Sequence, residues 1–114
     1  MVATIEREDA IAFVQARADV DTVPTLSAFE VEDLVDRAAR RDHNRKQPHE
    51  DGWWPTYDLH HAVASAWEVK ASRAASRFDL TVDGQQLDRS QLYAHCKGQA
   101  VSFWNRVAGA GRRA

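Results

Sequence analysis

Over four stretches of the chain apolar residues recur every three or four positions, the spacing that gives a helix one buried face. The first stretch runs from Ile5 to Ala18. Ile5, Ala10, Ile11, Val14 and Ala18 carry its stripe, and Glu6, Glu8 and Asp9 stand in the first turns, beside the positive end of the helix dipole. Asp19 to Thr25 breaks the pattern and contains Pro24, whose fixed φ and missing N–H suit a connection. Ser27 and Glu30 then form a capping box, in which hydroxyl and carboxylate satisfy the exposed amides of a first turn. The second helix that it opens reaches about Arg40, with Val31, Leu34, Val35 and Ala38 facing inward.

From Arg41 to Pro55 no period survives. The segment RDHNRKQPHEDGWWP gathers charge, two prolines, a glycine and two tryptophans, and reads as a long loop. Loops beyond about 12 residues in a compact domain are usually functional or disordered, and paired tryptophans argue against disorder. The longest helix follows, from Thr56 as candidate N-cap to Phe78, with Leu59, Val63, Trp67, Ala71, Ala74 and Phe78 on its stripe and several alanines that permit close approach. Leu80 to Val82 and Gln85 to Leu87, flanking Asp83-Gly84, have the pattern of a short hairpin. Asp88 or Ser90 caps a last helix on Leu92, Cys96, Ala100, Phe103 and Val107, which Gly109 and Gly111 end. The expected fold is mainly α: a small bundle of about four helices with one short β-hairpin before the last helix. A single domain over 1–108 and a flexible basic tail over 109–114 account for the whole chain. The expected core holds Leu34, Leu59, Val63, Trp67, Phe78, Leu92, Cys96 and Phe103.

At 114 residues, 44% hydrophobic and 28% charged, the chain matches one ordinary globular domain. No stretch approaches the roughly 20 apolar residues that span a bilayer, and the N-terminus lacks a targeting pattern, so no membrane association is expected. A lone cysteine excludes an internal disulfide and fits synthesis in a reducing cytoplasm. The net charge of −2 gives no global attraction for nucleic acid. Its distribution is uneven: residues 1–40 carry nine acidic against four basic side chains, and residues 41–114 eight against eleven. Such asymmetry favours head-to-tail contact between copies.

Candidate chemistry is sparse. His60 and His61 invite a metal, with His43, His49, His95 and Cys96 as further ligand types, but neighbouring helix positions diverge by about 100° and cannot face one ion. Cys96 lies on an apolar stripe and His95 beside it points elsewhere, so the pair does not make a nucleophile. No phosphate-cradling loop or catalytic triad signature is present, and neither enzyme activity nor a cofactor or metal is expected. Arg40, Arg41, Arg45 and Lys46 form a basic cluster at the end of the second helix. Adjacent side chains in an extended segment point to opposite sides, so of Trp53 and Trp54 one is expected to pack inward and the other to serve as an interface anchor.

The segments PTLSAFEVEDLVDRAARRD and GWWPTYDLHHAVASAWEVKASRAASRFDLTVDGQQLDRSQLYAHCKGQA, over roughly residues 23–104, resemble the head-to-tail connector proteins of tailed bacteriophages, also called adaptor, head-completion or neck proteins. The likeness consists of an acidic capped helix, a Trp/Tyr-bearing lead-in to a long Ala-rich helix, a DG hairpin and an RSQ start to the last helix. It implies a structural virion protein that forms an oligomeric ring, commonly a dodecamer, beneath the portal protein. The ring links capsid to tail through a further neck or tail protein, and DNA passes through its channel only as cargo. Trp53, Trp54, Arg41, Arg45 and Lys46 in the loop, and Arg112 and Arg113 in the tail, match the segments by which such proteins contact the portal or a ring neighbour. The alternative reading is a small helical DNA-binding or regulatory module.

Overall fold

In chain order the protein runs β1 (Val2–Thr4), α1 (Arg7–Arg17), α2 (Ala28–Arg37), β2 (Thr56–Asp58), α3 (Leu59–Phe78) and α4 (Gln85–Trp104). The computed structural model describes residues 2–78 and 85–107, with side chains for 2–76 and 91–107. The architecture is mainly α: a small bundle of four helices with one two-stranded antiparallel element. Helix α3 is its axis. It packs along α4, and also carries α1 and α2, which touch each other.

Each helix contributes the stripe that its spacing dictates. Ala10 and Val14 of α1, Val31 and Val35 of α2, Val63 and Trp67 of α3, and Cys96, Ala100 and Phe103 of α4 form one buried cluster. Ala62, Ala64, Ala66, Ala71 and Ala74 are almost wholly buried, so small side chains let the neighbouring helices lie close against α3. Of the expected core, Leu59, Val63, Trp67, Cys96 and Phe103 are buried, and Leu34 and Leu92 are half-buried against the cluster. The Phe78 side chain lies outside the described residues.

Polar contacts fasten the helix ends. The capping box at Ser27 is complete: Glu30 N donates to the Ser27 hydroxyl at 3.1 Å and Ser27 N to the Glu30 carboxylate at 2.8 Å. The same carboxylate accepts from both Nη atoms of Arg73, which also donates to the Thr25 carbonyl at 2.9 Å and so ties the start of α2 to α3. Arg7 donates to Asp36 through Nε at 2.8 Å and Nη2 at 3.1 Å, joining α1 to α2. Helix α1 ends where Asp19 takes φ 50°, and Lys70 Nζ donates to the Ala18 and Asp19 carbonyls at 2.8 and 2.6 Å. The ammonium is 4.4 Å from the Trp67 ring centroid, and only 1% of Lys70 is exposed. Burial pushes its pKa below the ordinary lysine value.

Four local expectations change. Gln85–Leu87, expected as the second strand of a hairpin, are the first turn of α4, and Leu80–Gly84 lie outside the described residues. Gln and Leu are strong helix formers, and a three-residue alternation is too short to oppose them. The strand pair forms instead between β1 and β2, with Ala3 opposite Tyr57. The starts expected at Asp88 or Ser90 are interior to α4. Thr56 does not cap α3: it sits in β2, its hydroxyl donating to the Trp54 carbonyl at 2.8 Å, while Asp58 Oδ1 accepts from His61 N at 3.2 Å as an N-cap does. Finally, α2 stops at Arg37 because the chain turns to pair Ala39 with Tyr57, and Arg40 Nη1 donates to the Arg37 and Ala39 carbonyls.

The radius of gyration is 15.9 Å and the principal extents are 56 × 34 × 18 Å. A compact domain of this size would have a radius near ~13 Å, so the body is elongated and flat.

Candidate functional site

Residues 41–55 lack regular structure but are held by a dense set of hydrogen bonds. Asp42 organises them. Its Oδ1 accepts from Asn44 N at 2.8 Å and Lys46 N at 2.9 Å, and its Oδ2 accepts from Trp54 N at 2.9 Å. Burial would raise the pKa of this carboxyl, but the donors from Trp54, Lys46 and Asn44 outweigh it and hold the group below its ordinary value. A second turn closes where Gln47 N donates to the Glu50 carboxylate at 2.8 Å and Trp53 N to the Glu50 carbonyl at 2.9 Å. Gly52 has φ 82°, and a Cβ there would stand 3.1 Å from Cε of Lys46. Glycine suits that backbone, which L side chains adopt only under strain, and a Cβ there would also push the flexible Lys46 stem aside. Arg45 and His49 also have positive φ, and a loop bent this tightly is held in one shape by its own bonds.

The loop sets the two tryptophans apart. Trp53 is half-buried: its indole Nε1 donates to the Arg40 carbonyl at 2.9 Å, and its ring meets Tyr57 edge-on at 5.8 Å and His49 at 4.9 Å. Trp54 is 54% exposed, with His43 edge-on to its ring at 5.0 Å. Its side chain walls a recess of about 360 Å³ with Ile5, Pro55, Glu6 and Asp9, a concavity that is apolar on one side and acidic on the other. Arg41 and Arg45 are exposed, Lys46 is half-buried, and Arg112 and Arg113 lie outside the described residues. The structure thus brings five of the seven expected contact residues together on one rigid loop.

The histidines and the cysteine serve packing. His60 lies between the rings of Phe13 and Phe103, at 6.3 and 5.9 Å, and His61 meets Trp104 edge-on at 4.9 Å. Burial lowers the pKa of both imidazoles, with Arg40 adding to the effect at His61. Burial pushes the Cys96 thiol up, against the opposing pull of Lys70, which is the reverse of what a thiolate nucleophile needs. Among the described residues no group of three or more His, Cys, Asp or Glu side chains is placed to hold a metal ion, and no helix is long and apolar enough to cross a membrane.

Two residues central to this architecture escape a periodicity reading. Lys70 stands three residues after Trp67 and four before Ala74, on the buried stripe itself, and a lone cation at such a position is the signal of a buried donor. Asp42, followed two residues on by Asn44, carries the weaker signal of a side chain that caps its own turn. No family model matches the chain, and neither a curated protein nor a solved structure is detectably similar to it.

Proposed function

We propose that the chain is a structural head-to-tail connector of a tailed bacteriophage. It assembles into a ring beneath the portal, surrounds the DNA channel and joins capsid to tail in the virion neck, without catalysis. One observation carries the reading: an internally braced loop presents Trp54 to solvent from an elongated helical body. Leaving a large aromatic half in water on a rigid support is unfavourable for a protein that acts alone and favourable for one that docks, because little ordering is required at contact. The titratable groups that could do chemistry support the same reading, since His60, His61 and Cys96 are engaged in packing.

The DNA-binding alternative draws less support. Of the basic cluster, Arg40 is occupied by the carbonyls that end α2 and the Lys46 stem covers Gly52. Arg41 and Arg45 remain exposed, as do the acidic Glu50 and Asp51 of the same loop. The deciding experiment mixes the purified chain with the portal protein of the same phage and images the product by electron microscopy, with sedimentation in parallel. Rings coaxial with the portal are expected. A chain that stays monomeric with the portal and binds duplex DNA with steep salt dependence would establish the alternative.

A further inference from the structure

The recess beside Trp54 sets an apolar wall against unpaired negative charge. Ile5, Pro55 and the half-exposed indole form the wall, and the carboxylates of Glu6 and Asp9 stand on the other side. The two sides are fastened to each other, since Ile5 N donates to the Pro55 carbonyl at 3.0 Å. Glu6 is the N-cap residue of α1 but makes no side-chain cap, and Asp9 lies nearly one turn further on; both are exposed. Among the described residues neither is paired with a cation. The neighbouring Arg7 is turned to α2, where it meets Asp36 at 2.8 Å and Glu32 at 3.6 Å. The positive end of α1 accounts for acidic residues in its first turn, but not for a tryptophan left half in water beside them. An indole next to two free carboxylates is a setting that takes a cationic side chain, by contact with the ring and by ion pairing at its edge.

A cation of this chain lies within reach. Helix α4 ends at Trp104, and two residues later the Arg106 carbonyl is 3.4 Å from Nδ1 of His60. The His60 ring is 6.3 Å from that of Phe13, and Phe13 stands one turn after Asp9 on the same face of α1. Residues 108–113 read AGAGRR, four small residues followed by Arg112 and Arg113, with no acidic residue among them. From Val107 six further residues extend up to about 20 Å, enough to carry the arginines past Phe13 to Asp9 and Glu6. Starting point, length and charge select the same occupant.

We propose that residues 108–113 return along α1 and set Arg112 and Arg113 in the Trp54 recess of the same chain. One guanidinium lies against the indole, and the pair meets the carboxylates of Glu6 and Asp9. The small residues 108–111 let the segment lie flat over Phe13. Ion pairs at an exposed surface are weak and exchange readily, so the segment shields Trp54 in the free chain and yields to a partner that covers more of the ring. The contact does not depend on the connector reading; within that reading it is what a portal displaces to reach Trp54.

The test uses the full chain with Arg112→Lys and Arg113→Lys, which keep the charge and supply amines that a carbodiimide couples to carboxylates in contact with them. Equal amounts of isotopically labelled and unlabelled chain are mixed, coupled, digested and read by mass spectrometry. Amides from positions 112 and 113 to Glu6 and Asp9, with both halves from the same chain, are expected to exceed those to exposed Asp21 and Glu50 about tenfold. Amides joining labelled to unlabelled halves would assign the segment to a second copy and overturn the proposal, as would coupling without preference among exposed carboxylates. Adding Trp54→Ala should cut the preferred coupling about threefold, because a segment that merely wanders past Glu6 and Asp9 does not sense the indole; an unchanged yield would overturn the proposal as well. Rings on the portal without this coupling would remove the contact and leave the connector reading, and coupling without rings would do the reverse.

Discussion

Replacing Trp53 and Trp54 one at a time by alanine separates folding from docking, because the two side chains differ in what they touch. Complete burial makes a tryptophan truncation cost about 3 to 5 kcal/mol, and half-buried Trp53 should lose roughly 2 of that. Its indole also donates to the Arg40 carbonyl, which Trp53→Ala leaves without this partner at the end of α2, adding about 1 kcal/mol. For a domain of this size each kcal/mol lowers the melting midpoint by about 4 °C, so Trp53→Ala should melt roughly 10 °C early. Trp54 keeps only the edge contact with His43 and the rim of its recess, so Trp54→Ala should cost no more than about 0.5 kcal/mol and move the midpoint by about 2 °C. Its loss should appear in association instead. An aromatic anchor contributes about 2 kcal/mol or more to binding, roughly a thirtyfold weakening of portal docking. The assay is calorimetric melting of both monomeric variants together with sedimentation against the portal. If Trp54→Ala docks like the parent, or if its midpoint falls as far as that of Trp53→Ala, the loop serves only to close the domain and the docking argument is wrong.

Glu30 ties pH to stability. Its hydrogen bond with Arg73, joined by that with the Ser27 amide, lowers its pKa from 4.5 to about 2, so the stability it contributes is present above pH 4.5 and is lost as pH falls toward 2. The full shift would correspond to about 3 kcal/mol, and solvent screening at a pair about one-third exposed reduces it to about 1 kcal/mol. Glu30→Gln should therefore be about 1 kcal/mol less stable at pH 7 by urea denaturation and indistinguishable near pH 2; a gap that ignores pH would contradict this. Lys70→Met removes two charge-assisted hydrogen bonds to the end of α1 while relieving a buried charge, and a net loss of about 2 kcal/mol is expected by the same method. An unchanged midpoint would mean that those carbonyls find water instead. Trp67→Ala should destabilise the monomer by about 3 to 5 kcal/mol, since the ring is 4% exposed and its Nε1 donates to the Arg17 carbonyl at 3.2 Å; intact melting with lost assembly would place the core on another face.

Helix identity and the buried face of each helix are legible in the sequence because both depend on local spacing. Val14, Val31, Val35, Val63, Trp67, Cys96 and Phe103 repeat every three or four residues, and only one face of each helix can turn inward. The capping box at Ser27 and Glu30 is equally local, its two bonds closing within a single turn. The opposite orientations of Trp53 and Trp54 follow from adjacency in an extended segment, although which one faces inward does not.

That choice belongs to the tertiary structure. Trp53 packs inward because the Arg40 carbonyl and the Tyr57 ring stand on its side, both placed there by the pairing of residues 39 and 40 with β2. The strand pair itself joins Val2–Thr4 to Thr56–Asp58 across more than fifty residues, so no local alternation signals it, while the locally plausible strand at Gln85–Leu87 is part of a helix. Lys70 reads as an exception to its stripe until the end of α1 arrives with two carbonyls that need a donor. The groove lined by Leu34 and Arg37 of α2 and by His61, Ser65, Glu68, Val69 and Ser72 of α3 exists only once those two helices pack together. Short-range spacing decides what each segment is; which unpaired groups meet, and which surfaces stay open, is decided when distant segments satisfy one another's backbone and side-chain bonds.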